Sequence, residues 1–504
     1  MFTDILLAVC ISLLGFALQV WPRLFNRYFG VDTWRFALFA DYIRTNGKLP
    51  KSIPEKYIVP GSMDNPPLLP LILSKFSRKW LDANQGFISP AFDVIQSLLV
   101  FFMAYFAAGS AQTGHLAQIL YLLIPVVPLE ASNLSLRTLG SLVFTIAMLC
   151  VQAYALSPSL WTFLLGMAGT ALLAYTHRMA MQVFFFSLIS FSIWQGSGAY
   201  LLVFLVGLLF AIYAFKGLYL RYLRGHLLMI AYWMYNIKNR LAHQIRGNPT
   251  KERKHADFVR RIEGIIWRVP VLPFFAINPW TLYVFYALAD GWLPGLRTES
   301  PWLAMMVQWA TILFALGLIF NLKYLRFLGE GQRYLEFGAT AAAVAAAAVI
   351  TRLTADPGVW PLFKNLHWLI GAGCLAVILF FQVKLVLKNP DKSITAPLWD
   401  ILGFLNADPE ETRIACLPHG LADAVTYFLD HGKALLSDNS AGVWELQEYW
   451  PLLKRPLREI ADKYAINYFL VSDKYVGLDE LDLPDFEPVF TRGNYHLLKR
   501  KAAA

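Results

Sequence analysis

Long apolar runs separated by short polar breaks fill the first three quarters of the chain. The first, Ile5–Trp21, carries no charge and is long enough to cross a bilayer core. No basic stretch precedes it and no small-residue cleavage pattern follows, so it reads as a retained anchor. Residues 22–90 are polar, Pro-rich and charged, with short amphipathic pieces at Thr33–Thr45 and Leu68–Phe76. That pattern predicts a large loop at the membrane surface. Apolar runs resume near 91–109, 115–129, 138–156, 160–176, 181–196 and 198–215, and again near 264–289, 301–321, 335–352 and 366–387. Several are short for a core about 30 Å thick, which suits a thinned or water-filled region around a site. Residues 216–237 are apolar and aromatic but hold Lys216, Arg221 and Arg224, and fit either one more span or an interfacial helix.

Charge sets the expected topology. A basic cluster from Lys238 to Lys254 lies in the polar stretch 238–263, which the positive-inside rule places in the cytoplasm. With 216–237 counted as a span, loop 22–90 falls outside and the C-terminal tail falls inside. The Ala-rich stretch 338–350 (GATAAAVAAAAVI) predicts close helix packing. From about Ser393 the pattern changes. Ile414–Leu417 and Tyr468–Val471 read as buried strands, Leu421–His431 and Leu453–Tyr464 as helices, and Tyr495–Leu498 as an edge strand. The expected fold is mainly α, a polytopic transmembrane helical bundle of about 11–13 spans with a large first extracytoplasmic loop and a small C-terminal α/β domain. The expected division is 1–390, the membrane part, and 391–504, a soluble domain.

Composition narrows the function classes. Of 504 residues, 57% are apolar and only 15% charged, with mean hydropathy +0.47. A purely cytosolic enzyme cannot hide that much apolar surface, and disorder is excluded as well. Residues 1–390 hold 32 Lys+Arg against 16 Asp+Glu (+16), whereas 391–504 hold 12 against 18 (−6). The basic excess is spread between apolar spans, so it points to anionic headgroups or an anionic substrate and not to nucleic acid. The four cysteines, Cys10, Cys150, Cys374 and Cys416, form neither a disulfide framework nor a zinc pattern.

Five polar segments could carry chemistry. Asp32, in Gly30–Arg35, is a base or metal ligand at the membrane surface, or else a helix N-cap with Arg35 one turn on. Asp41, nine residues later, reads as solvated. Met63–Pro70, with two adjacent prolines, reads as a rigid turn leading into a short helix. Glu130 and Arg137 stand seven residues apart on one helical face at an interface, either as functional groups or as a mutual salt bridge. His177 and Arg178 fall on the same side by span counting. Arg333 and Tyr334 lie in the polar break Gly329–Glu336, where Arg333 could bind a phosphate, yet span counting puts this break on the opposite side.

These pieces, in this order, resemble the GT-C glycosyltransferase superfamily. The segments that carry the resemblance are GVDTWRFALFADYIRTNGKLP after the first span, NPPLLP in the same loop, LSLRTLG, and GEGQRYLE. The resemblance implies an integral membrane enzyme of a bacterial inner membrane, with its active site on the extracytoplasmic side. It implies a polyprenyl-phosphate-linked sugar donor and a lipid or glycan acceptor. Asp32 would be the catalytic acid of the first loop, and Glu130 a second catalytic carboxylate. Arg137, His177, Arg178, Arg333 and Tyr334 would bind substrate. No Trp-Trp-Asp motif of the oligosaccharyltransferase branch is present, and the first loop has no Asp-x-Asp pair, so a divalent metal is an option and not a requirement. The resemblance also places the tail outside, against the span count. A polytopic transporter or lipid flippase is the rival reading, but paired repeats expected of one are not seen.

Overall fold

The computed structural model describes residues 1–30, 32–240, 242–247, 271–358, 360–387 and 393–501. The described residues group into two compact units. One is drawn from Met1–Phe25, Gly86–Leu220 and Ala256–Leu387, the other from Asn26–Gln85, Arg221–His255 and Lys388–Ala504. The sequence had left the first loop with the spans; the structure packs it with the tail.

The first unit is a helical bundle, and the protein is an integral membrane protein. Six of its helices are long and apolar enough to cross a membrane, or seven if the Ala199–Ala214 helix and its continuation to Asn239, bent by 115°, count as one span. Helices stand at every expected apolar run among the described residues, several of them short. The 115–129 run becomes Ala111–Leu122 plus Val126–Ala131, and the 160–176 run becomes Leu160–Ala174. Part of the 264–289 run lies outside the described residues; the remainder forms Leu272–Ile277 and Thr281–Ala289. Serines set several helix starts. Ser110, Ser135 and Ser159 each accept a backbone N–H of the first turn. The Ala339–Ala355 helix packs as closely as its composition predicts, with Ala343, Ala345, Ala346 and Ala347 fully buried.

A polar thread runs inside this bundle. Asp93 accepts hydrogen bonds from the Tyr121 hydroxyl and the Gln19 amide, both at 2.5 Å, and Gln118 donates to Ser12 at 3.0 Å. The 91–109 run was expected to be apolar. Asp93 and Gln96 sit on its buried face; neighbouring helices bond both Asp93 oxygens, and the Gln96 amide N–H donates to Thr145 at 2.8 Å, which is how such groups are tolerated at membrane depth.

The second unit is built on a six-stranded sheet. Its strands are β1 (Tyr57–Val59), β2 (Thr412–Leu417), β3 (Gly432–Ser437), β4 (Tyr468–Ser472), β5 (Phe486–Arg492) and β6 (Tyr495–Arg500). Their order is β1-β3-β2-β4-β6-β5. The first four are parallel, and β6 runs antiparallel to both β4 and β5. The two buried strands read from sequence are β2 and β4. The expected edge strand, Tyr495–Leu498, is interior instead: Tyr495 and Leu497 are fully buried between β4 and β5. The expected tail helices form as Ala422–Phe428 and Leu457–Lys463, the second starting only after Pro456.

Strand β1 comes from the first loop, which overturns the span count and agrees with a tail on the loop's side, as the resemblance implies. A loop and a tail that share one sheet lie on the same side of a membrane. Segment 221–247 joins them: Tyr232 donates to the Trp450 carbonyl at 2.8 Å, and Gln244 to that of Tyr449 at 3.0 Å. The described part of the basic stretch 238–263 is therefore not opposite the first loop. The count failed at 216–237. This segment forms the Leu218–Asn236 helix beyond a sharp break, and Trp444 donates to its Leu228 carbonyl, so its C-terminal part packs on the tail.

Candidate functional site

In the helical unit, three expected segments come together. Arg137 is the second residue of the Leu136–Leu156 helix, whose Ser135 cap accepts its backbone N–H at 3.3 Å. Its guanidinium bridges Glu130, at the end of Val126–Ala131, and Glu336, at 3.5 Å. Glu336 belongs to the Gly331–Phe337 helix, so the polar break 329–336 lies at the same end of the bundle as Glu130 and Arg137. That overturns the opposite-side placement given by span counting.

Two glycines explain how this break seats itself. Gly329 has φ +116°, and a Cβ there would meet Met179 at 2.6 Å; one at Gly331 would meet the Gly317 carbonyl oxygen at 2.1 Å. The segment can therefore press onto the start of the Arg178–Gln195 helix and onto the Pro301–Phe320 backbone. Arg333 pairs with Glu330 at 3.5 Å, and both charges act on Glu336. Tyr334 is fully buried, stacked on Phe320 at 4.7 Å, and accepts a hydrogen bond from Gln182 at 2.8 Å. Its role here is packing, not an open binding group. His177 occupies the N-cap position of the Arg178–Gln195 helix without a side-chain capping bond and packs on Gly140, where a Cβ would come within 2.8 Å of it.

Arg137 and Arg178 both sit in the first turn of a helix, where the dipole disfavours a cation. Cations at a helix N-terminus make a setting suited to an anion, and the anions on Arg137 here are the Glu130 and Glu336 carboxylates. Glu130 is turned onto Arg137, so it orients the guanidinium. Among the described residues, no group of three His, Cys, Asp or Glu side chains could hold a metal ion.

Asp32 belongs to the second unit. It opens the Asp32–Asn46 helix, is exposed, and among the described residues its carboxylate makes no hydrogen bond or ion pair. The N-cap hydrogen bond of the alternative reading is absent. The helix is held by its neighbours. Trp34 is buried against Tyr427 and Phe428, with ring centroids at 5.6 and 4.8 Å. Arg35 grips Asp423 with Nε at 2.9 Å and a second nitrogen at 3.4 Å. Burial raises the Asp423 carboxyl, opposed by the Arg35 charge. Burial, followed by the Arg35 charge, pushes nearby His419 down to about 3, so this imidazole is neutral. Asp41 is not simply solvated: it pairs with Arg44 and, at 3.5 Å, with Arg78.

The loop's Met63–Pro70 segment is more than a turn. Asp64 is buried and accepts the Ser440 N–H at 2.9 Å, and Asp438 accepts those of Ile53 and Gly61 at 3.2 and 2.8 Å. Sequence reading passed over Asp423, Asp438 and Glu336. Only Glu336 carried a signal, as the last residue of the quoted GEGQRYLE.

With this geometry, the solved structures are informative. The apo form of ArnT from Cupriavidus metallidurans superposes with a TM-score of 0.56 at 14% identity, covering 98% of this chain and 97% of that one. ArnT bound to undecaprenyl phosphate gives 0.53 at 13% identity, over 99% and 98%. The apo Archaeoglobus fulgidus oligosaccharyltransferase gives 0.56 at 12% identity, over 94% of this chain and 69% of that one. The chain has the GT-C fold. Both GT-C structures extend over the bundle and the sheet-bearing unit alike. No family model matches the chain, and no curated protein matches it in sequence.

Proposed function

We propose that this protein is a membrane glycosyltransferase that moves a sugar from a polyprenyl-phosphate-linked donor to an extracytoplasmic lipid or glycan acceptor. The observation that carries the reading is the end-to-end likeness to ArnT, a structure solved with undecaprenyl phosphate, in a chain that sets arginines at helix starts. The reaction is a direct displacement. An acceptor hydroxyl oxygen attacks the anomeric carbon and gives its proton to the Asp32 carboxylate. The carbon–oxygen bond to the phosphate breaks, and the phosphate departs with the electron pair. Arg137 and Arg178 hold that developing charge, Arg137 through the fork of donors that suits a phosphate. Glu130 and Glu336 fix the Arg137 fork in place. The loop, the tail and Asp32 then face the extracytoplasmic side of a bacterial inner membrane.

Binding of undecaprenyl phosphate to the purified protein tests the donor assignment. Wild type should bind it. Arg137→Ala should weaken binding by about tenfold or more, and Arg137→Lys should recover part of the loss. Equal binding by wild type and Arg137→Ala would remove Arg137 from the site. A lipid flippase would bind the same headgroup but leave the sugar–phosphate bond intact, so release of free polyprenyl phosphate separates the two readings.

A further inference from the structure

At the other end of the helical unit lies a cavity of about 740 Å³ that the transfer chemistry does not use. Glu336 stands just before the Ala339–Ala355 helix, and Arg352 is in its last turn, about 24 Å further along the axis at the usual helical rise. The cavity forms where three long helices end or begin: Ile88–Ala108 stops at Gly109, Pro301–Phe320 starts, and Ala339–Ala355 stops. Its wall is smooth and apolar, made by Ala345, Ala348 and Val349. Two bonds hold it open between helices: Ser300 donates to the Ala107 carbonyl at 2.5 Å, and the Thr113 and Thr351 hydroxyls meet at 3.3 Å.

The mouth is polar and aromatic. Arg352 lies over the Trp292 ring at 4.7 Å, and the Trp292 indole N–H is fixed on Asp290 at 2.5 Å. Trp302 and Glu299 complete the rim. Tryptophans with an arginine at the ends of spanning helices mark headgroup depth. The volume is in the range of pockets that hold a small amphiphile, about 300–1,000 Å³. The lining carries one positive and one negative group, Arg352 and Glu299. That balance matches a headgroup with both signs. A purely anionic headgroup would face Glu299 uncompensated.

We propose that this cavity binds a zwitterionic, amine-bearing phospholipid such as phosphatidylethanolamine. Its phosphate sits on Arg352, its ammonium lies between Glu299 and the Trp302 ring, and the upper part of its chains lies on the alanine wall. The site is separate from the donor site and does not depend on the glycosyltransferase reading.

The test is lipid binding by the delipidated full-length protein in detergent, read by native mass spectrometry. Dilauroyl phosphatidylethanolamine and dilauroyl phosphatidylglycerol serve as probes. Wild type should retain the ethanolamine lipid about tenfold more tightly than the glycerol lipid, a modest preference of the size that charge complementarity at a pocket mouth supplies. The double variant Arg352→Gln/Glu299→Gln should lose that preference. Ala348→Trp, which fills the wall without touching the charges, should lower occupancy by either lipid. Equal binding of the two lipids by wild type, or an unchanged preference in the double variant, overturns the proposal. Should the double variant fail to fold, wild-type selectivity and Ala348→Trp still decide it.

Discussion

Asp32 and Arg35 are three residues apart on one helix, the spacing at which an acid and an arginine commonly pair. Here they do not. Asp423, from the tail, takes the Arg35 fork at 2.9 and 3.4 Å and leaves the Asp32 carboxylate exposed. If Asp32 is the base, Asp423 is a positioning residue that keeps Arg35 off it. Asp423→Ala should release Arg35 onto Asp32 and lower the transfer rate by about tenfold or more, the scale of compromising a general base. Adding Arg35→Gln should restore much of that rate, because no cation is left to swing over. Transfer assays on the single and double variants, beside their melting temperatures, check this. A double variant as inactive as Asp423→Ala, at equal stability, would leave Asp423 with a structural role only. None of this was legible in sequence. The Asp32 motif and its loop stood out, but its partner lies nearly four hundred positions away, where only three-dimensional packing selects it.

At the scale of elements, periodicity and composition located most helices and both central strands. The misreadings share a cause: local pattern does not say which surface an element meets. The Leu218–Asn236 helix is apolar enough to be taken for a span, yet Tyr232 and Trp233 bury against Trp450 of the tail. Strand β1 has three residues and no alternating run to betray it, and it exists because β3 offers a parallel edge. The turn His419–Leu421, which follows β2, gives a measurable consequence. His419 is held near 3 by burial, whereas an unfolded histidine titrates near 6.5. The unfolded chain therefore binds the extra proton first, and stability falls as pH drops from about 6.5 towards 3. At pH 5 the loss relative to neutral pH should be about 2 kcal/mol from this group alone. Denaturant melts of the purified protein, following tail fluorescence, should show that slope, and His419→Phe should remove it. An identical pH dependence in the variant would contradict the assignment.

At the scale of the whole molecule, the sequence conveyed the class of protein, while the sidedness of its parts came from the shared sheet. Loop and tail cannot be parted by a membrane if β1 and β3 are neighbours. Lys48 and Lys474 are exposed on the loop and the tail. As single cysteines in a Cys10→Ser background, both should react with a membrane-impermeant maleimide on intact spheroplasts. Labelling of one without the other would break the sheet; labelling of both only after permeabilisation would reverse the proposed side. The central claim, that the chain transfers sugar using Asp32 as base, has a more direct test. Wild-type and Asp32→Asn proteins are purified and supplied with polyprenyl-phosphate-linked sugars, and free polyprenyl phosphate and glycosylated acceptor are measured together. Asparagine keeps the size of the side chain but cannot take the proton. The account predicts that Asp32→Asn folds and binds donor as wild type does, while transfer falls by about two or more orders of magnitude. Transfer by Asp32→Asn at the wild-type rate would contradict it.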